Sequence, residues 1–351
     1  MTKKKESKED TIRLKLKSTN ILRGEGTSLD NKNDVDIFPN IYFNLYPGDL
    51  FADRYKVMQK IGEGGMGLVY KVEDIETLEI KALKITIAEA ESEDETNVKR
   101  FAREITTMRK LQHPNIVQIY EAGQANKRWY YTMTFIEGKL FTVGTWQQLS
   151  QAEGIEIIAQ IADAVYHAHK KGIIHRDLKP ENIICSSENK AFLMDFGIAK
   201  SLGYNTKLTD SDTVMGSLFY LSPEQASGGS DLDYRSDVFS LGIILYQFLT
   251  SHYPFKGTSN MMILNAILCS DPTPPNELNK NISEDLQNVC MTALAKNKQC
   301  RYFSAKMFAQ DLRRILQHKK PLLSTSKSYS FFVAIFLTLI VILVFYLGRA
   351  T

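Results

Sequence analysis

His175-Arg176-Asp177-Leu178-Lys179-Pro180-Glu181-Asn182, followed closely by Asp195-Phe196-Gly197, places two acidic residues, a lysine and an asparagine on neighbouring loops. Asp177 can orient a hydroxyl or accept its proton. Lys179 can offset charge on a group being transferred. Asn182 and Asp195 supply hard oxygen ligands, which suit Mg²⁺. A core built only for stability has little use for so many charges in one place. A loop of polar turn formers is the plain alternative, but the run and its spacing to Asp195 are too specific for it. His175 and Phe196 read as packing residues.

Upstream, Gly62-Glu63-Gly64-Gly65-Met66-Gly67-Leu68-Val69 joins two strand candidates, Tyr55 to Ile61 and Leu68 to Val72. Glycines let a backbone approach phosphates and expose its amides. Glycine-rich hairpin turns are common, so this motif alone decides little. It is not the dinucleotide-binding arrangement, because a strand follows the loop rather than a helix. Ala82-Leu83-Lys84 lies on the next strand candidate, Ile80 to Ile87, and Glu104 on a helix expected over Asn97 to Leu111. An inward lysine needs a partner, and Glu104 can supply it; a solvated lysine and a surface glutamate are the plain alternative for each taken singly. Val117 to Tyr120 and Trp129 to Phe135 read as further strands. After Gly138 the pattern is helical: Gly154 to Lys171, Val238 to Leu249, Met261 to Cys269, Ser283 to Ala295 and Ser304 to Leu316. Val238 to Leu249 is apolar nearly all round, which places it at the centre of a domain.

The chain has 351 residues, 44% hydrophobic and 24% charged, with a net charge of +3. That suits one large or two ordinary globular domains, and nothing in the balance asks for nucleic acid. Cys185, Cys269, Cys290 and Cys300 form no C-x-x-C pair, which argues against structural zinc and fits reduced thiols. The N-terminus lacks the apolar stretch of a signal peptide.

Taken in order, these elements resemble the protein kinase signature set, over about Tyr55 to Leu316. The similarity is greatest to bacterial, eukaryotic-like Ser/Thr protein kinases, carried by the glycine loop, His113-Pro114-Asn115-Ile116-Val117 and Ser222-Pro223-Glu224-Gln225. Lys179, two residues after Asp177, favours Ser/Thr over Tyr specificity. The resemblance implies a bilobal α+β fold, with a small β-rich N-lobe carrying one main helix (about 55–137) and a larger helical C-lobe (about 138–317). It implies ATP and Mg²⁺, with Mn²⁺ as a substitute. Asp177, Lys179, Lys84 and Glu104 take the catalytic roles, and Asn182 and Asp195 the metal. Ile61, the loop Gly62 to Gly67 with Leu68, Val69, Ala82, Met133, Thr134, Ile136 and Ile184 take the nucleotide. Met133 falls at the gatekeeper position, and Thr134 to Ile136 at the hinge. Met108, Ile119, His175 and Phe196 fall on the regulatory spine. Asp237 braces the catalytic loop, and Glu224 pairs with Arg301. Lys81, where the family has an apolar residue, is expected to face out. A non-catalytic scaffold and a small-molecule kinase are the other readings. The intact catalytic set argues against the first, and Ser222-Pro223-Glu224 favours protein substrates over the second.

The resemblance also implies a switch: Thr209, Ser211 and Thr213 as phosphosites whose phosphate is received by Arg176. Expected partners are proteins bearing Ser or Thr, a second copy for trans-autophosphorylation and a lipid bilayer. The last follows from the tail. Ser328 to Gly348 holds no charge over 21 residues, and a helix of that length covers roughly 30 Å, a bilayer core. Arg313, Arg314, Lys319, Lys320 and Lys327 precede it, so the kinase domain is expected on the cytoplasmic side. The expected order is a polar arm (1–36), an extension packing on the kinase domain (37–54), the kinase domain (55–317), a linker (318–328) and a single transmembrane helix (329–348). Only Gly348 to Thr351 lie beyond its apolar run, Phe331 to Leu347, so no extracellular sensor domain is expected.

Overall fold

The computed structural model describes residues 44–64, 67–89, 103, 105–196, 216–229 and 231–323. They fall into two compact units. The first holds the residues up to Arg109 together with Gln118–Phe135; the second holds Lys110–Val117 and the residues from Ile136 on.

The first unit is a six-stranded antiparallel sheet in the order β1-β2-β3-β4-β6-β5. The strands are β1 Leu50–Phe51, β2 Tyr55–Gly64, β3 Gly67–Asp74, β4 Glu79–Glu89, β5 Ile119–Ala125 and β6 Arg128–Thr134. Residues 103 and 105–109 are helical. Alternation sorts the sheet into two faces. Phe51, Tyr55, Val57, Leu68, Tyr70, Val72, Leu83, Ile85 and Tyr130 make a buried cluster on one face, and Leu45 packs against it. The register puts Val69 opposite Lys84, Lys84 opposite Tyr131 and Ala82 opposite Met133, all on the other face.

Strands β2 and β3 run further than the hydrophobic pattern suggested, through Gly62↔Val69 to Gly64↔Gly67. The glycine loop is thus the tip of a hairpin. Gly67 is required there by a close approach: a Cβ would overlap the Ile85 carbonyl oxygen.

Lys81 departs from expectation. It does not face out but is 6% exposed, and its Nζ donates to Asp74 Oδ2 at 2.6 Å. Arg54 grips the same carboxylate through Nε and Nη2 at 2.7 and 2.8 Å and reaches Glu121 at 2.9 Å. Burial alone would raise the Asp74 pKa, but the bonds from Arg54 and Lys81 hold it well below the usual carboxylate range.

The second unit is built round helix α3. It holds a small sheet, β7 Lys139–Leu140, β8 Ile183–Cys185 and β9 Ala191–Leu193, with β8 in the middle. Its main helices are α1 Gln151–Lys170, α2 Pro223–Ala226, α3 Arg235–Thr250, α4 Asn260–Cys269, α5 Glu284–Ala293 and α6 Ala305–Leu316. Helix α3 is buried on nearly every side, as its apolar sequence requires. Ser150 and Glu153 form a capping box that starts α1. Helix α6 lies against α1, where Arg313 bonds Glu156 and Asp163.

Two boundaries differ from expectation. The stretch 110–117 belongs to the second unit, because Val117 N–H donates to Leu193 O at 2.9 Å and Leu193 N–H to Asn115 O at 2.8 Å. The start of the expected linker is also held in this unit: the Leu322 and Leu323 amides donate to the buried Asp311 carboxylate at 2.6 and 3.2 Å. Among the described residues no helix is long and apolar enough to cross a membrane. The expected span 329–348 lies outside them, as does the arm 1–36.

Candidate active site

In the second unit, the loop His175 to Asn182 is fixed from beneath by one carboxylate. Asp237, in the first turn of α3, accepts the amides of His175 at 2.8 Å and Arg176 at 3.0 Å, and the His169 ring at 2.7 Å. Burial would raise the Asp237 pKa, but the His169 bond and its neighbours lower it, so the group stays ionised. A helix N-terminus favours that charge. These bonds hold Arg176 at φ 64, a left-handed conformation that costs a residue with a Cβ on the order of 1–3 kcal/mol. Gln225 Nε2 donates to the Arg176 carbonyl from α2 at 2.9 Å.

His175 is the pivot of the loop. Its Nδ1 accepts the Asp177 amide at 3.3 Å, and its Nε2 bonds the Met194 carbonyl at 3.1 Å. Burial lowers its pKa, which keeps the ring neutral as that pattern demands. Its ring packs on Phe196 at 4.7 Å. The histidine therefore ties the Asp177 loop to the Asp195 loop.

The chemical groups sit on this frame. The Asp177 side chain is mostly buried, and Lys179 Nζ lies 3.3 Å from its Oδ2. The same ammonium donates to Ser217 Oγ at 2.8 Å. Asn182 Nδ2 donates to the Asp177 carbonyl at 2.7 Å. With its nitrogen engaged there, Asn182 presents Oδ1 as the atom for a cation. The Asn182 carbonyl accepts the Met194 amide at 3.0 Å, which joins it to the segment carrying Asp195. Asp195 is itself left-handed, at φ 58. Among the described residues no three His, Cys, Asp or Glu side chains gather as a metal cage. An amide oxygen with one carboxylate fits instead a Mg²⁺ that keeps waters and phosphate oxygens as its other ligands.

Glu224 and Arg301 form the expected pair, with two parallel bonds of 2.8 Å. Burial would raise the Glu224 pKa, yet Arg301 and Ser236 hold it at about 2. Ile136 and Ile184 also belong to this unit, and Ile184 pairs with Phe192 in the small sheet.

In the first unit, Val69, Ala82, Lys84 and Met133 share one face of the sheet. Ala82 and Met133 are buried, and Lys84 Nζ lies 6.0 Å from the Tyr131 ring centre. Ile61 is exposed on β2 beside Gly62, Glu63 and Gly64, and Leu68 points into the opposite, buried cluster rather than to the Lys84 face. Thr134 N–H donates to the Gln118 carbonyl at 2.9 Å. Gly65, Met66, Glu104, Thr209, Ser211 and Thr213 lie outside the described residues.

Sequence reasoning missed His169 and Gln225 as supports of the loop. Gln225 stood in a quoted motif without a role, and nothing local marks His169.

Residues 55–318 match the protein kinase domain family. The probable serine/threonine-protein kinase PknB of Lactococcus lactis is 40% identical over 269 residues, covering 76% of this chain and 42% of the relative. The serine/threonine-protein kinase PknB of Mycobacterium leprae is 38% identical, over 77% of this chain and 44% of its own. PrkC of Bacillus subtilis is 35% identical, over 76% and 41%. The chain thus spans about two fifths of the length of these relatives. Among solved structures, the kinase domain of Mycobacterium tuberculosis PknI is similar at 25% identity and a TM-score of 0.60, over 78% of this chain and 99% of that one.

Proposed function

The chain belongs to the serine/threonine protein kinase family, and from that premise we propose that it transfers the γ-phosphoryl group of ATP to serine or threonine hydroxyls of proteins. The observation that carries this reading is the loop geometry: Asp177, Lys179 and Asn182 held together over the Asp237 brace. Asp177 orients the acceptor hydroxyl and takes its proton. Lys179, already within reach of Asp177, offsets charge on the phosphoryl oxygens. Lys84 anchors the nucleotide phosphates, and the amides of the glycine hairpin cover them. Asn182 Oδ1 and Asp195 are the groups that would hold Mg²⁺, which when bound neutralises phosphate charge. There is little covalent chemistry for the protein to do, so positioning and charge supply the rate.

Two finer readings go with it. Autophosphorylation at Thr209, Ser211 or Thr213 is proposed to engage Arg176, whose backbone is already fixed from two sides. Tethering through 329–348 is proposed from the uncharged stretch alone.

Incubation of the full chain with labelled ATP, Mg²⁺ and a generic acceptor protein tests the activity, and mapping the labelled residues tests the switch. Asp177→Asn and Lys84→Ala are each expected to lower transfer by about 10²- to 10⁴-fold. Transfer at wild-type rates in both would end the assignment. Deleting 329–348 should release the chain from the membrane fraction; unchanged fractionation would refute the tether.

A further inference from the structure

The glycine hairpin is gripped along its outer edge by chain that precedes the kinase signature. One edge of β2 pairs with β3, but that ladder slips twice, between Val57 and Gln59 and between Lys60 and Gly62. Met58, Gln59, Lys60 and Ile61 are all exposed. On the other edge run residues 44–51. Leu50 pairs with Lys56 and Phe51 with Tyr55. Val57 exchanges bonds of 2.8 Å with Gly48 and Asp49. A turn closed by Tyr46 N–H on Asp49 Oδ2 at 2.7 Å then carries the chain onward. Leu45 N–H donates to the hydroxyl of Tyr70, a fully buried side chain of β3, at 3.1 Å. The Leu45 side chain packs on the buried cluster. Finally Asn44 Oδ1 accepts Lys60 Nζ at 3.2 Å, and the same ammonium reaches Glu63 Oε2 at 2.6 Å. Contacts therefore run from a half-buried anchor, Leu45, through Asn44 and Lys60 to Glu63, the residue between Gly62 and Gly64.

We propose that residues 44–51 form a strap that positions the glycine hairpin, with Asn44, Leu45 and Lys60 as positioning residues for nucleotide binding. The physical reason is entropy. Glycines leave a backbone many conformations, and each one excluded before binding is one that ATP need not exclude. An interrupted ladder on one side leaves the hairpin tip many orientations. A second support on the other side removes most of them, and it does so without touching the ligand. The proposal rests on reading the hairpin as the phosphate-binding loop.

The test uses the full chain and Asn44→Ala, Leu45→Ala and Lys60→Met. Hydrogen exchange of the amides from Lys60 to Gly64 is read without nucleotide, and the Kd of a fluorescent ATP analogue is read with Mg²⁺. The expected result is faster exchange at those amides and a Kd raised about two- to tenfold, the size of one ordinary hydrogen bond. The loss should fall on KM for ATP rather than on kcat, a split that a purely structural role would not give. Asn44 and Lys60 are surface positions, so their variants keep the test clear of any folding defect in Leu45→Ala. Unchanged exchange in all three variants, or faster exchange with an unchanged Kd, overturns the strap. Failure of the wild-type chain to bind the analogue overturns the nucleotide reading itself, and the two failures are thereby distinguished.

Discussion

Replacing Arg301 with Met removes the guanidinium but keeps much of the stem. Arg301 donates five bonds: two to Glu224 and one each to the carbonyls of Ala295, Arg235 and Lys296. Its side chain is fully buried, and that of Glu224 is 14% exposed. The variant therefore leaves a carboxylate and three carbonyls short of a donor in a place water barely reaches. Breaking a buried pair in this way costs roughly 3–5 kcal/mol. The pH dependence gives a second measure. Glu224 titrates at about 2 in the folded chain against 4.5 for the free group. A depressed carboxylate stabilises fully above its unfolded pKa, and the gain is lost as pH falls from 4.5 towards 2. Allowing for screening by solvent, that gain is about 2–3 kcal/mol. The assay is urea unfolding followed by Trp146, the tryptophan of the second unit, in a Trp129→Phe background. Glu224→Gln with Arg301→Met should be less damaging than Arg301→Met alone, because no buried charge is then stranded. A loss below about 1 kcal/mol, or a double variant equal to the sum of the singles, would refute the reasoning.

Asp237→Asn puts an amide NH₂ against backbone donors and should lower kcat about 10- to 100-fold, the loss of one charge-assisted bond, while KM for ATP holds; steady-state kinetics over a range of ATP checks both. Lys81→Met restores an apolar residue but leaves the Asp74 carboxylate with only Arg54 and the Glu76 amide. It should cost about 1–3 kcal/mol in the first unit, read by thermal unfolding through Trp129. Because Asp74 is depressed, the difference between wild type and Lys81→Met should shrink as the pH is taken below the ordinary carboxylate range.

The loop proposed as catalytic was legible because the roles proposed for it are local. Asp177, Lys179 and Asn182 stand within one short run, and their chemistry follows from residue type and spacing. The buried α3 was legible for a similar reason, since an all-round apolar helix has only one place to go. What stayed hidden were partners set by register and tertiary approach. Alternation along β4 cannot reveal that Arg54 and Asp74 close over Lys81, because those three residues come from different strand ends. The His169 contact to Asp237 joins residues 68 apart, with no periodic sign at either. The stretch 110–117 falls within the expected N-lobe, yet its backbone finds its bonds on β9. The extension expected to pack on the kinase domain over 37–54 named no contact, and the grip of residues 44–51 on Tyr70 and Lys60 depends on a turn at Asp49 whose direction composition does not give.

The arrangement of the second unit explains why so much of it carries no chemistry. Arg176 and Asp195 both hold left-handed backbone that their side chains disfavour, together on the order of a few kcal/mol. Neither loop would keep that shape alone. Two amide bonds to Asp237 offset the strain at Arg176, and the His175 ring ties that loop to the Met194 carbonyl next to Asp195. Asp237 can serve only if it stays ionised while buried, which His169 and the start of α3 make feasible. Helix α3 in turn is held by the apolar packing that surrounds it. The geometry of Asp177 is thus set by a carboxylate far along the chain, and a mutation that merely loosens α3 should lower the rate before it unfolds the domain.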